Sequence, residues 1–452
     1  MSISIFLMTL LVLATFYGFL SYIAAQKVTN IQDYFLAGRN LGLAPVTFTL
    51  IATQLGGGML LGTAQQAYTV GFYGLFYTIG MSIGFLLLGS GIAGRLRDLN
   101  VVTTAQIFQT KYNSINLRKF ASFLSIITLC GLLIGQIVAS KTLLAGLGIT
   151  NELLFLLLWA FIIIYTVIGG LQALVVIDSF QVLYIILIFS ALFTYTLLQE
   201  SVPLIESTMQ LQTQFSALPI RFSHVVSVLL MPILFAVIEQ DLAQRFFAAR
   251  TKKIAVVSAL ISSAFMLLFS FIPLYFGMKT KLINLTLLAG ANPLIAYIEW
   301  ALPKALVAFV IIGVLAAITS TADSLLCAIS SNLAQDFDFS FIGIKNKLTI
   351  SQGVTFIVGL GTLITSYFMP IDIIYILIES YALSVCCLFV PLIIAYYKKD
   401  CNKNAAIGAV AFGLFGFIIF QIKPIGLPHQ IAALVLSLIG YALGSFMRHS
   451  QR

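Results

Sequence analysis

Apolar runs of about 18 residues or more recur along the whole chain, and nothing else constrains its fold as strongly. Each run is long enough to cross the ~30 Å hydrocarbon core of a bilayer as a helix. A segment in lipid must satisfy its own backbone hydrogen bonds, so only helices and closed barrels are available. The runs are continuous rather than short and alternating, which excludes a barrel. The chain therefore reads as an all-α polytopic membrane protein. A composition 60% hydrophobic and 9% charged, with mean hydropathy +1.06, agrees. The polar connections reach only about 20 residues, too short for a soluble catalytic domain. Residues 1–452 are thus expected to form one integral domain.

The runs divide into thirteen expected spans, at about 3–23, 43–70, 72–92, 117–146, 152–172, 176–198, 224–248, 253–278, 296–335, 348–369, 371–397, 404–421 and 428–447. The first has no positive residue before it, so it reads as a retained helix rather than a cleaved signal. With the N-terminus outside, the inner loops gather Lys27, Arg39, Arg95, Arg97, Lys111, Arg118, Lys119, Arg245, Arg250, Lys252, Lys253, Lys345, Lys347, Lys398, Lys399, Lys403, Arg448 and Arg452. The outer loops hold only Arg221, Lys279, Lys281 and Lys423. This bias fixes a cytoplasmic C-terminus by the positive-inside rule, and one missed span would scramble it.

The net charge of +9 thus sits in short loops and does not predict a nucleic-acid partner. The five cysteines (Cys130, Cys327, Cys386, Cys387, Cys401) show no metal spacing, and the three histidines form no cluster. No transition metal and no organic cofactor are expected.

Three stretches interrupt the apolar pattern. "IATQLGGGMLLGTAQQAY", Ile51 to Tyr68, holds Gln54 and three consecutive glycines, each costing a helix about 1 kcal/mol relative to alanine. Small residues could serve close helix packing. A break in the helix instead frees carbonyls at mid-membrane depth, which is tolerable only beside a protein-lined cavity. "LLMPILFAVIEQDLAQRFFAAR", Leu229 to Arg250, holds Pro232, which removes a backbone bond and kinks or breaks the helix. Glu239, Gln240, Asp241, Gln244 and Arg245 follow, with Asp241 and Arg245 spaced to pair on one face. These two spans are five apart, which fits two inverted five-helix units.

The third stretch, "AAITSTADSLLCAISSNLAQD" from Ala316 to Asp336, carries hydroxyls at helical spacing and an acid, Asp323. An intramembrane acid is costly unless paired or solvated. Hydroxyls and freed carbonyls make an oxygen site suited to a hard monovalent cation. A Na⁺ site between this helix and the Gly56–Gly58 break accounts for both oddities.

Four stretches carry a resemblance: "DYFLAGRNLG" (Asp33 to Gly42), "GGLQALVVIDSFQ" (Gly169 to Gln181), "QRFFAA" (Gln244 to Ala249) and "STADS" (Ser320 to Ser324). In this order, across about residues 33–395, they resemble the sodium:solute symporter family. The resemblance implies a leucine-transporter-type core of two inverted five-helix repeats, about 43–198 and 224–397, with 1–42 and 398–452 peripheral. It implies a main Na⁺ site of the carbonyls of Ala52, Leu55 and Ala317 and the hydroxyls of Ser320 and Thr321. It places Asp178 on an ion-release path or at a second ion site with Ser324, with Asp323 where two-sodium members usually carry a hydroxyl. Gln54 departs from the aspartate of proline symporters. "GGGMLLGTA" looks more like the choline-transporter branch, which has an aromatic residue where this chain has Glu239. Rough alignment with sugar-transporting members gives Gln54, Gln65, Phe235, Glu239 and Glu379 as solute contacts, in a cavity lined by spans two, three, seven and eleven. Two carboxylates near one cavity favour a cationic group on the solute.

The expected activity is Na⁺-coupled uptake of a small organic solute, such as an amino acid, quaternary amine or organic acid, by alternating access. Proton coupling is the alternative, since Asp178, Asp323 and Glu379 could titrate. A transporter-like sensor acting with a separate partner is a further one. An enzyme is not expected, because the acids lie on separate helices with no nucleophile–histidine pairing. The short loops suggest a bacterial inner-membrane protein working as a monomer.

Overall fold

The computed structural model describes residues 3–199, 222–287, 290–339, 346–370, 372–423 and 427–447. Arg221, Lys345, Arg448 and Arg452, used above for orientation, lie outside them. Among the described residues the chain is helical, with no strand beyond an isolated bridge between Leu41 and Ala249. Loop side chains start several helices by accepting from the first free amides. Ser114 accepts from Leu117, Thr251 from Ile254, Asp372 from Tyr375 and Asn346 from Leu348.

Among the described residues, eleven helices are long and apolar enough to cross a membrane. They include α1 (Ile3–Ala25), and the first interrupted span adds a shorter apolar helix, α2 (Leu43–Gln54). Beyond the interruption, α2 continues as a π turn, Gly58–Gly62, and α3 (Thr63–Val70). The chain then reverses at Gly71 (φ 64°, ψ −132°) into α4 (Phe76–Leu87), so closely that a Cβ on Gly74 would meet the Ala67 amide nitrogen at 2.7 Å. Next come α5 (Ile115–Gly146) and α6 (Glu152–Gln199). At 48 residues, α6 would be about 72 Å long if straight, more than twice the bilayer core. It folds back at Gly170 (φ 53°, ψ −161°), so that Tyr165 and Gln181 both reach the same turn of a later helix, at Asp323 and Thr319. Only glycine suits that backbone, and a Cβ there would lie 2.6 Å from the Tyr34 carbonyl oxygen. With these two reversals, the eleven long helices together with α2 match the thirteen expected spans in number.

The second interrupted span is α7 (Phe222–Ala236) and α8 (Gln240–Ala248). The helix runs through Pro232, and the break falls later, at Val237–Glu239. There Ile238 and Glu239 amides both turn back to the Phe235 carbonyl. A proline removes one backbone bond but does not by itself end a packed helix. The rest are α9 (Lys252–Phe269), continued by Phe271–Leu282, α10 (Lys304–Asp336), α11 (Lys347–Thr365), α12 (Ile373–Tyr397), α13 (Lys403–Ile422) and α14 (His429–Phe446). Helix α10 is the axis of the molecule: 83% of its apolar window is buried, against 17% for α1 at the rim. It packs on both arms of α6, on α5 and on α2.

Candidate functional site

The polar face of α10 meets the end of α2. Ser320 Oγ donates within 3.0 Å to the carbonyls of both Ala52 and Ala317, and Thr321 Oγ1 lies 3.3 Å from the same two oxygens. Leu55 caps α2 beside them and is fully buried. Two carbonyls and two hydroxyls, all uncharged, thus converge where α2 stops. The glycines make this approach possible. A Cβ on Gly56 would sit 2.5 Å from Thr321 Oγ1 and 2.7 Å from Gln136 Oε1. None of Gly56, Gly57 and Gly58 has positive φ, so close packing selects them rather than backbone conformation.

One turn along α10 lies a charged layer. Asp178 is fully buried and accepts from the Thr49 hydroxyl. Arg245, equally buried, donates to Thr49 Oγ1 at 3.1 Å and to Ser324 Oγ, and its Nη2 is 4.0 Å from Asp178 Oδ2. Thr53 joins Ser324 at 3.2 Å. Asp323 accepts from Tyr165 at 2.7 Å. One oxygen each of Asp178 and Asp323 has no hydrogen-bond partner among the described residues. The expected Asp241–Arg245 pairing does not form: Arg245 Nη1 bonds the Asp241 backbone carbonyl at 2.7 Å, while the guanidinium reaches across to α2. Sequence spacing missed Thr49, Thr53, Tyr165 and the partners of Arg245. The i, i+4 pair of threonines, Thr49 and Thr53, on a largely apolar helix was the available signal.

Between the two breaks is a narrow cavity of about 20 Å³, room for about one water molecule. Gln54, Glu239 and Asp241 line it, with Gln136, Tyr77 and Tyr381 opposite. Gln54 Nε2 is 3.3 Å from Glu239, and the two tyrosine hydroxyls are 3.0 Å apart. Phe235 supports the wall by stacking on Tyr381 with centroids 4.5 Å apart. The expected lining spans two, three, seven and eleven all contribute, and Gln136 of α5 and Thr321 of α10 add two more.

Two expected solute contacts lie elsewhere. Gln65 is half-buried on α3, outside the cavity lining. Glu379 is 3.3 Å from His429 and 3.4 Å from Gln430, on the side of α12 that faces α14. Leu377 and Tyr381 line the cavity, and at 100° per residue Glu379 falls about 200° away from Leu377. The two carboxylates at the cavity are therefore Glu239 and Asp241, not Glu239 and Glu379.

The four sequence stretches of the resemblance converge here. Gln244 Nε2 bonds the Phe35 carbonyl at 2.7 Å, and Leu41 bridges to Ala248 and Arg250 through backbone bonds. Tyr34 reaches the Val167 carbonyl at 3.0 Å, and Arg245 meets Ser324. The sodium:solute symporter family model matches residues 34–413. The chain belongs to that family. It is accordingly a transporter rather than an enzyme, and the family couples solute symport to Na⁺. Among solved structures the chain is similar to a Na⁺-coupled sialic acid symporter in a substrate-bound outward-open state, at 16% identity and TM-score 0.81, covering 98% of this chain and 97% of that one. It is also similar to Mhp1, a nucleobase-cation-symport-1 family transporter, closed with bromovinylhydantoin bound, at 15% identity and TM-score 0.59, covering 91% and 94%. At such identity these likenesses concern the fold, which is that of the leucine-transporter type.

Proposed function

We propose that this symporter imports a small organic solute together with Na⁺ by alternating access around the two helix breaks. The observation that carries the reading is the meeting of Ser320, Thr321 and the Ala317 carbonyl with the Ala52 carbonyl where α2 ends. Na⁺ sits among the carbonyls of Ala52, Leu55 and Ala317 and the hydroxyls of Ser320 and Thr321, a neutral oxygen cage suited to a hard cation. Asp178, Asp323 and Ser324 form the release path or a second ion site. The solute lies against Gln54, Glu239 and the Phe235–Tyr381 wall. Residues 43–198 and 224–397 act as the two inverted repeats, each opening with its broken helix, and the flanking helices support them. The loop charges argue for an outer N-terminus and a cytoplasmic C-terminus in a bacterial inner membrane. One Na⁺ entering down 100 mV releases about 2.3 kcal/mol, enough for roughly 50-fold accumulation of solute. A monomer suffices, since every group named belongs to one chain.

The test is Na⁺-dependent thermal stabilisation in detergent and solute uptake into proteoliposomes, compared with a Ser320→Ala, Thr321→Ala double variant. The wild type should be stabilised by Na⁺ but not by K⁺ and should accumulate solute only in a Na⁺ gradient; the variant should lose both responses. Uptake driven by a pH gradient and indifferent to Na⁺ would replace Na⁺ by H⁺ and move the coupling to Asp178 and Asp323.

A further inference from the structure

The cavity between the breaks also says what charge the solute should carry. Glu239 and Asp241 are 5% and 1% exposed, and both line it. Glu239 takes contacts of 3.3 and 3.4 Å from the Gln54 amide, and its carboxyl adjoins that of Asp241. Among the described residues, no Lys, Arg or His lines the cavity. Arg245, nearby, turns its guanidinium to Asp178, Thr49, Ser324 and the Asp241 carbonyl.

Broken helices usually hold anionic solute groups at the positive ends of their half-helices. Here one amide at each such end is already taken by an oxygen of the protein. The Gly57 amide donates to Gln136 Oε1 at 2.8 Å, and the Leu242 amide to Asp241 Oδ1 at 2.9 Å. A carboxylate on the solute would face two acids there. The remaining wall includes Tyr77 and Tyr381 beside the apolar Met59, Leu132, Leu325 and Leu377.

We propose that the solute is a small organic cation whose ammonium or guanidinium group binds between Glu239 and Asp241, displacing Gln54 from Glu239. This rests on the symport reading and names its solute class. The displaced contact is weak, and the cavity as it stands holds only about one water, so binding opens it by moving Gln54 rather than by filling a preformed space.

The experiment measures thermal stabilisation of the purified protein, with and without Na⁺. The cationic panel is methylammonium, tetramethylammonium, ethanolamine, agmatine and lysine. The comparison panel is proline, glucose, glycolate and glutamate. At least one cation should stabilise the wild type and be taken up by proteoliposomes. Glu239→Gln and Asp241→Asn keep the side-chain size, and each should raise the half-saturating concentration of that cation at least about ten-fold. Na⁺ stabilisation serves as the check that the variants are folded. A response confined to neutral or anionic solutes, no response to any cation, or wild-type affinity in both variants would overturn the proposal and leave Na⁺ coupling standing. A cation that binds through Glu239 without any Na⁺ effect in the wild type would support this proposal and remove Na⁺ coupling instead.

Discussion

At the first break the helix stops among glycines, and the polar atoms left at the gap are neutral: backbone carbonyls of Ala52 and Ala317 and two hydroxyls. At the second break, Val237–Glu239, the polar atoms are those of carboxyl side chains, Glu239 and Asp241, at the start of α8. On the proposals above, the difference reflects what each gap binds. A small, hard ion is matched by close neutral oxygens, which needs packing tight enough to exclude side chains. A larger polyatomic cation is matched by carboxylates, which need space and can tolerate less exact geometry. One break is specified by sterics and the other by charge, and substitutions should separate them.

Arg245 belongs to both regions, since it leaves α8 and ends against Thr49 of α2. Its removal should have the largest effect. Arg245→Met strands Asp178 in a site with 0% exposure, and breaking a buried pair from one side costs about 3–5 kcal/mol. Denaturant or thermal unfolding in detergent reads the loss. Adding Asp178→Asn should recover a large part of it, because the stranded charge goes too. If the double variant is as unstable as the single one, Arg245 acts through packing and the two breaks are not joined by charge.

Gly56→Ala tests the steric break alone. The new methyl would fall 2.5 Å from Thr321 Oγ1, so Thr321 or α2 must move. Overpacking of this kind costs about 1–3 kcal/mol. Stabilisation by Na⁺ should weaken with it, while the Glu239 side of the cavity keeps its charge. An unchanged Na⁺ response would mean that Thr321 is not a ligand.

The two breaks also differed in how far the sequence revealed them. Three glycines in an apolar run lie within two residues of the interruption, where the missing Cβ of Gly56 lets Thr321 and Gln136 approach. Pro232 pointed to the right helix but the wrong turn, since the break depends on how Val237–Glu239 packs and not on the missing amide alone. The thirteen crossings were readable from hydropathy. The two that share α6, and the two joined at Gly71, needed the reversals to be seen in space. Local spacing misassigned Arg245, because i, i+4 geometry competes poorly with a long guanidinium that can reach another helix. Ser320 and Thr321 were legible for the opposite reason: hydroxyls in a buried apolar helix must have partners, and a break nearby offers carbonyls.

Glu379 provides the smallest and most discriminating test. It is a carboxylate on a cavity-lining helix, as Glu239 is, but it points toward α14 and pairs with His429 while both side chains stay about a fifth exposed. A partly exposed pair is worth about 0–1 kcal/mol. Glu379→Gln should therefore shift the unfolding midpoint little and leave the cation and Na⁺ responses at wild-type values, in contrast to Glu239→Gln. Loss of the cation response in Glu379→Gln would put the solute on the α14 side of α12. The charge that selects it would then belong to the outer wall rather than to the second break.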